Sequence, residues 1–454
     1  MHWKKSDWGI TLVGATAALI LIRSTSPEGF PYAQIALAML GIFLLVATKA
    51  LHVCGLGRVM ANTSGDRHGV TARFVVPRAA DAEATRQAQA LLGACSECKA
   101  CVVKCPFLAE YGTPSSIARD VLAGKSTVDP FACSLCGLCG AVCPQNLSPG
   151  DLFLAMRRQA VTDGTVDLSP YKALLNYEKR GTTRLFSWYS PPGSKIVFFP
   201  GCTLPGTRSG ITWRFYEELR ALIPDLGIVL DCCHKPSHDL GRQDYFLEHF
   251  LGIRQKLIAR GVTEVLVACP NCFKVFERYG APLKTTTVYE IMAENASPAP
   301  VMADRVVVHD PCPLRHHASI QNSIRALLAA QGIAVRTMKH SGKLTLCCGE
   351  GGGVGFHAPE FATAWAEKRG KLAGDDLIVT YCAGCAGFLG QRGAVGHIGE
   401  VLFTREKALS GACKPARAPL TYFHRLKLKR RFQKMFTKSK PASPKKGSHS
   451  CHIF

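Results

Sequence analysis

Acidic residues are scarce in this chain of 454 residues: 33 Asp and Glu stand against 55 Lys and Arg, a formal net charge of +22. The imbalance is local. From Lys414 onward there are twelve Lys and Arg and no Asp or Glu, so over half of the surplus sits in the last 41 residues. Nucleotide fingerprints are missing too. The run Gly349-Glu350-Gly351-Gly352-Gly353-Val354-Gly355 lacks the Lys-Ser/Thr of a phosphate loop and does not fit G-x-G-x-x-G. Close backbone approach is the better use for those glycines, and a flavin or hydride step would need a partner protein. Two apolar stretches near the N-terminus, Trp8 to Ile22 and Phe30 to Thr48, contain no His, Asp or Glu. That excludes haem b ligands and a proton relay within them. No small-x-small cleavage site is evident after the first stretch, which argues against a secretory signal.

Cysteine, in contrast, is abundant, with 21 residues, of which eighteen fall into four ordered groups. Two are runs: Cys95, Cys98, Cys101, Cys105 before Pro106, and Cys133, Cys136, Cys139, Cys143 before Pro144. Two are longer sets: Cys202, Cys232-Cys233, Cys269, Cys272, and Cys312, Cys347-Cys348, Cys382, Cys385. A disulfide scaffold does not fit, because such scaffolds are short and C-x2-C-x2-C offers poor disulfide geometry. Tetrahedral thiolate sets serve zinc or iron–sulfur clusters. The C-x2-C-x2-C-x3-C-P run, recurring intact, favours [4Fe–4S]. In two-cluster ferredoxins the fourth Cys of each run serves the other cluster. Cys95, Cys98, Cys101 and Cys143 are therefore assigned to one cluster, and Cys133, Cys136, Cys139 and Cys105 to the other.

Helices are expected over Ala82 to Leu92 and Ser115 to Ala123, and Ser148 is placed to cap another. From residue 196 strands alternate with helices, and each strand ends at a cysteine. Ile196 to Phe199 precedes Cys202, Ile228 to Leu230 precedes Cys232, and Val265 to Val267 precedes Cys269. The series repeats with Val306 to Val308, Leu344 to Leu346 and Leu377 to Val379. Equivalent cysteines are offset by 110, 115 and 113 residues. This is an internal duplication of an open α/β unit, whose strand ends converge on one crevice.

The first pair of groups resembles the α-helical ferredoxin domains of succinate-dehydrogenase-type and heterodisulfide-reductase-type iron–sulfur subunits. The duplicated region resembles the cysteine-rich "CCG" domains of heterodisulfide reductase, with relatives among glycolate oxidase, lactate-utilisation and anaerobic glycerol-3-phosphate dehydrogenase iron–sulfur subunits. Cys312, Cys347-Cys348-Gly349 and Cys382-Ala383-Gly384-Cys385 match the pattern fully. The first copy keeps all five cysteines but has His234 in place of glycine. The resemblance implies one or two further [4Fe–4S] clusters of non-cubane type, with Cys312, Cys347, Cys348, Cys382 and Cys385 as the catalytic set. His234 is either a packing residue or a ligand or proton donor. Glu350, His309, Asp310, His316 and His317 are candidate proton donors beside the second copy.

The two apolar stretches read as a transmembrane hairpin. Phe30 to Thr48 suits a bilayer core of about 30 Å, and the flanking Lys and Arg place both ends in the cytoplasm. The basic tail from Phe423 to Lys446 reads as a segment lying on an anionic membrane surface, in preference to a nucleic-acid site. The expected organisation is a hairpin over 1–54, a linker over 55–86 and a ferredoxin domain over 87–165. A second linker over 166–195, the two cysteine-rich domains over 196–298 and 299–405, and the basic tail over 406–454 complete it. The expected function is a membrane-anchored iron–sulfur oxidoreductase facing the cytoplasm from the inner membrane. Two cubane clusters would feed the duplicated site, linked to a quinone pool, a disulfide substrate or a flavoprotein partner. The alternative is a non-catalytic electron-transfer subunit of a flavoprotein dehydrogenase complex.

Overall fold

Short β-branched runs bounded by cysteine and glycine form buried parallel strands here, because both faces of each strand are covered by helices. In the computed structural model, residues 82–125, 127–302 and 304–438 are described, and all of them belong to one compact unit. The proposed hairpin lies outside the described residues. Among the described residues no helix is long and apolar enough to cross a membrane.

The strands are β1 (Trp188–Tyr189), β2 (Ile196–Phe199), β3 (Gly227–Leu230), β4 (Glu264–Val267), β5 (Lys284–Thr287), β6 (Arg305–His309), β7 (Ala334–Arg336), β8 (Leu377–Thr380) and β9 (Val395–His397). They form two sheets, ordered β1-β3-β2-β4-β5 and β7-β6-β8-β9. Without β1, the first order is the second displaced by one repeat, and every pairing within both repeats is parallel. The duplication seen in the cysteine spacing is thus a duplication of topology. β1 pairs antiparallel with β3. The expected linker over 166–195 therefore contributes an edge strand, and its helix Lys172–Gly181 packs beneath the first copy.

One expected strand is absent. Leu344 to Leu346 is not in the sheet: Gly342–Leu344 is a 3-10 turn, and the second copy's edge strand is Ala334–Arg336. Side chains, not a neighbouring strand, hold the backbone there. Arg315 Nη2 donates to Thr345 O at 2.9 Å, and Thr345 Oγ1 donates to Asp310 O at 2.7 Å.

The ferredoxin segment is helical as expected, with Ala82–Ala94, Pro114–Leu122 and Pro149–Thr162. Ser148 makes no side-chain cap, whereas Thr113 accepts from Ser116 N at 3.1 Å. The two sheets share one core. Arg208 Nε meets Glu400 Oε1 at 2.8 Å, both side chains buried. Tyr289 Oη donates to Ala268 O at 2.8 Å and to Tyr381 O at 3.1 Å.

Arg157 joins all three parts. It is fully buried and donates to Pro130 O (3.0 Å), Phe131 O (3.2 Å) and Cys133 O (2.5 Å) of the ferredoxin segment. It also donates to Asp239 O (2.7 Å) of the first copy and Gly352 O (2.9 Å) of the second. Burial lowers its pKa, partly offset by the Cys133 sulfur and other neighbours.

The basic tail corrects an expectation. Helix Leu420–Lys438 docks on the first copy and buries Leu428 and Phe432. The Phe432 ring lies 5.0 Å from Trp213 and 4.9 Å from Tyr216, and Arg431 stacks 3.6 Å over Trp213. Leu428, Phe432, Met435 and Phe436 pack against protein, Leu420 and Phe423 stay exposed, and Lys427, Arg430 and Lys434 face outward.

Two stability outcomes are expected. Arg157→Ala leaves five carbonyls without their buried donor and lowers unfolding free energy by about 3–5 kcal/mol. Phe432→Ala costs about 3–5 kcal/mol, as for other buried phenylalanines. Chemical denaturation of the purified full chain measures both.

Candidate iron–sulfur site

The loops between the ferredoxin cysteines wind tightly. Glu97, Lys99 and Leu135 adopt left-handed φ of 51°, 60° and 49°, which turns successive thiols inward. Pro106 starts helix Pro106–Tyr111 directly after Cys105, whose extended backbone carries the thiol back toward the second run. Cys101 is raised by burial and by the nearby Cys95 and Cys143 sulfurs. Cys95, Cys98, Cys101 and Cys143 line one small cavity. Cys105 is raised by burial and by Cys136 and Cys133. Burial pushes Cys133 up to about 12, and Cys139 is raised by burial, Cys136, Cys133 and Cys105. Cys139 also lines that small cavity and neighbours Cys101, so the two runs lie against each other; the division of the eight thiols between two clusters rests on their spacing.

The second run touches the second cysteine-rich copy. Cys136 is lowered by a hydrogen bond with Cys347. Cys347 in turn meets Cys312 and Cys348. Cys348 meets Cys385, and Cys385 meets Cys382. Arg315, nearly fully buried, fixes this junction through Nε and Nη2 bonds to Cys136 O at 3.2 and 3.1 Å. The glycine run 349–355 serves the same junction. A Cβ on Gly352 would lie 2.7 Å from Cys133 O, and its φ is +64°.

The first copy continues the series. Cys269 contacts Cys382 of the second copy and its own Cys272, and Cys272 contacts Cys233. Cys232 Sγ lies 3.7 Å from Cys202 Sγ. The five first-copy cysteines line one cavity, the Cys269–Cys382 contact joins the second copy's thiols to it, and Cys312 opens instead on a separate cavity. Every described cysteine is a free thiol.

His234 and Gly349 occupy equivalent positions, and both have positive φ, 57° and 101°. Glycine is required in the second copy because a Cβ would meet Ala362 O at 2.3 Å and Phe388 at 2.6 Å. Helix packing is thus one reason for glycine there, and Gly349 N also lies 3.3 Å from Cys347 Sγ. In the first copy the His234 ring packs against His249 and Tyr245, with Nδ1 3.7 Å from Glu178 Oε1. Burial lowers its pKa to about 3, so it is a neutral packing residue.

The candidate proton donors separate. Asp310 is structural: burial opposes its charge, but bidentate bonds from Arg325 at 2.9 and 2.8 Å hold its pKa below the usual range. His317 Nε2 lies 3.4 Å from Glu277. His309 is fully buried among the second copy's thiols. Glu350 projects into a cavity of about 130 Å³ lined by all five first-copy cysteines. Its Oε2 fills the space where Gly384 lacks a side chain, 2.1 Å from an ideal Cβ. Glu350 is exposed at the cavity mouth, and crowding by protein together with the Cys348, Cys269 and Cys202 sulfurs raises its carboxyl above the usual range.

A larger cavity of about 450 Å³ opens beside Cys136, Cys139 and Cys312, with Lys274, Arg278, Lys343, His316 and His317 in its wall. Sequence reasoning missed this cavity, the two clasping arginines and both sulfur contacts between domains. None carries a local motif.

Sulfur-only donor sets whose ionisation is opposed by burial fit a bound cationic centre, since a thiolate is favoured by metal. Residues 90–147 match the 4Fe-4S dicluster domain and residues 306–390 match the cysteine-rich domain. This is an iron–sulfur protein. The chain is 27% identical over 333 residues to a fumarate reductase (CoM/CoB) subunit from Methanothermobacter marburgensis, covering 65% of this chain and 66% of that protein. It thus spans just under two thirds of that relative. It is 25% identical over 358 residues to a dihydromethanophenazine:CoB–CoM heterodisulfide reductase subunit from Methanosarcina barkeri, covering 65% and 87%. It is 26% identical over 276 residues to a probable membrane-anchored ferredoxin from Chromohalobacter salexigens, covering 52% and 41%.

Gly384→Ala is expected to displace the Glu350 carboxylate. The clashing atom is the end of a flexible side chain, and alanine gains about 1 kcal/mol of helix propensity. Thermal stability is thus maintained or slightly raised, and redox turnover falls. Parallel melting and activity assays separate these effects.

Proposed function

We propose that this chain is an iron–sulfur oxidoreductase that delivers electrons to a substrate or partner at the crevice between its two cysteine-rich copies. The observation that carries this reading is the series of neighbouring thiols from Cys101 through Cys139, Cys136, Cys347, Cys348, Cys385 and Cys382 to Cys269 and Cys272. Two cubane sites are assigned, Cys95, Cys98, Cys101 and Cys143 for one and Cys133, Cys136, Cys139 and Cys105 for the other. Cys312, Cys347, Cys348, Cys382 and Cys385 form a further, non-cubane site, and Cys202, Cys232, Cys233, Cys269 and Cys272 form its first-copy counterpart. Clusters held in these sets would supply one-electron steps along the series.

The side chains do the remaining work. Arg157 and Arg315 hold the ferredoxin loops at a fixed separation from the copies. Glu350, its carboxyl raised above the ordinary range, is placed to deliver a proton at the first copy's cavity. Reducing a disulfide to two thiols consumes two electrons and two protons, so a resident acid suits that reaction. The cations lining the larger cavity favour an anionic substrate or an acidic partner surface.

Anchoring at the cytoplasmic face of the inner membrane, through the hairpin over 1–54, belongs to the same reading. The outward cationic side of helix Leu420–Lys438 suits an anionic bilayer surface, and the similarity to a probable membrane-anchored ferredoxin supports it. A quinone-linked subunit or a flavoprotein would complete the circuit. A second reading, a relay subunit without its own substrate, is favoured by the names of the relatives, which are subunits of larger reductases.

Anaerobically purified full chain is expected to hold about 16 irons, matching four four-iron clusters. After reduction it should convert a disulfide to thiols. Full reduction and full iron with no turnover on any disulfide, together with co-purification of a flavoprotein, would decide for the relay. Stoichiometric zinc without iron would remove both readings.

A further inference from the structure

His309 ends β6 beside the second copy's thiols, and it is completely buried. Four histidines among the described residues are buried: His234, His238, His309 and His397. His238 bonds through both ring nitrogens, to Asp239 and Tyr279. His397 accepts from Gly399 N. His309 alone among them has both ring nitrogens fully enclosed and without a hydrogen-bond partner; His234 also makes no hydrogen bond, but only its Nδ1 is so enclosed. A buried ring left in that state is unfavourable, and such groups call for an explanation.

What the ring faces is sulfur. A ring nitrogen of His309 and the Sγ atoms of Cys348 and Cys385 lie within 4.8 Å of one another. Of these two sulfurs it is Cys348 that interacts with the ring, from outside conventional hydrogen-bond geometry. Complete burial opposes an imidazolium, since charge on the ring would go unsolvated. Arg369, itself buried, lies on the same side, and the Asp310 carboxylate is taken up by Arg325. A neutral ring has one N–H to give. Thr380, opposite His309 in the β6–β8 register, likewise buries an unpaired hydroxyl, so the other ring nitrogen has a polar neighbour across the strand.

We propose that His309 is a positioning residue of the second-copy cluster site, donating a ring N–H to the Cys348 sulfur and stabilising the reduced state. This rests on the reading that the second copy holds a cluster. A hydrogen bond to a ligating sulfur strengthens as negative charge accumulates on it, so it favours reduction. No bond is made or broken, and the proton stays on the ring.

The test uses the full chain, anaerobically loaded with iron and sulfide and poised electrochemically for EPR. His309→Leu is expected to disfavour reduction of the second-copy signal about tenfold, or about 59 mV for a one-electron couple. Iron content and the cubane signals should stay unchanged. His309→Gln keeps an N–H donor and should recover most of the shift. Pulsed EPR in deuterated buffer should show an exchangeable-proton coupling that His309→Leu loses. An unshifted potential in His309→Leu with full iron overturns the proposal, as does the strong nitrogen coupling of a directly bound imidazole. If His309→Leu loses iron, His309→Gln decides: a near-native potential supports the hydrogen bond, and a full shift overturns it. Wild-type protein with cubane signals alone would sink the function reading, and this proposal with it.

Discussion

A guanidinium with no carboxylate partner and five carbonyl acceptors holds this molecule together. Arg157 gathers backbone from the ferredoxin segment and both cysteine-rich copies into one dry point. Carbonyl acceptors suit the task. They keep the cation solvated where a buried carboxylate would add its own desolvation cost. They also belong to rigid turns, so satisfying the arginine fixes the relative positions of the three parts. Arg315 repeats the device at Cys136. The thiol series can be continuous only because these two side chains prevent the ferredoxin loops from drifting.

The two copies are alike in strand order and unlike in use. The first faces the docked C-terminal helix and the smaller cavity, and it accommodates His234. The second takes the ferredoxin contact through Cys347 and the glycine run. Duplication supplied two similar crevices. Their face-to-face arrangement, with Cys269 against Cys382, merges them into one site with distinct sides. Glu350 belongs to the second copy in sequence but projects into the first copy's cavity, so neither copy is complete alone.

The cysteine runs, the repeat and most strands were legible in the sequence because each is encoded over a few residues. The Leu344 to Leu346 strand was not: its apolar alternation is the same whether a sheet neighbour or arginine side chains satisfy the backbone. The docking of the tail helix was not legible for a related reason. An amphipathic cationic helix suits a bilayer surface and a protein surface equally, and its contact with Trp213 and Tyr216, far earlier in the chain, is not encoded locally. Arg157 and Arg315 look like surface residues in sequence. At His234, where the family pattern has glycine, the backbone keeps the same left-handed turn and the ring finds room elsewhere.

The glycine run that meets the ferredoxin loop has a kinetic meaning. Gly352 lies against Cys133 O with no room for a methyl group. Electron tunnelling between redox centres slows exponentially as the gap widens. On the proposed electron path these glycines would act as a spacer of minimum thickness. A side chain there would change the tempo of the molecule even if every thiol remained in place.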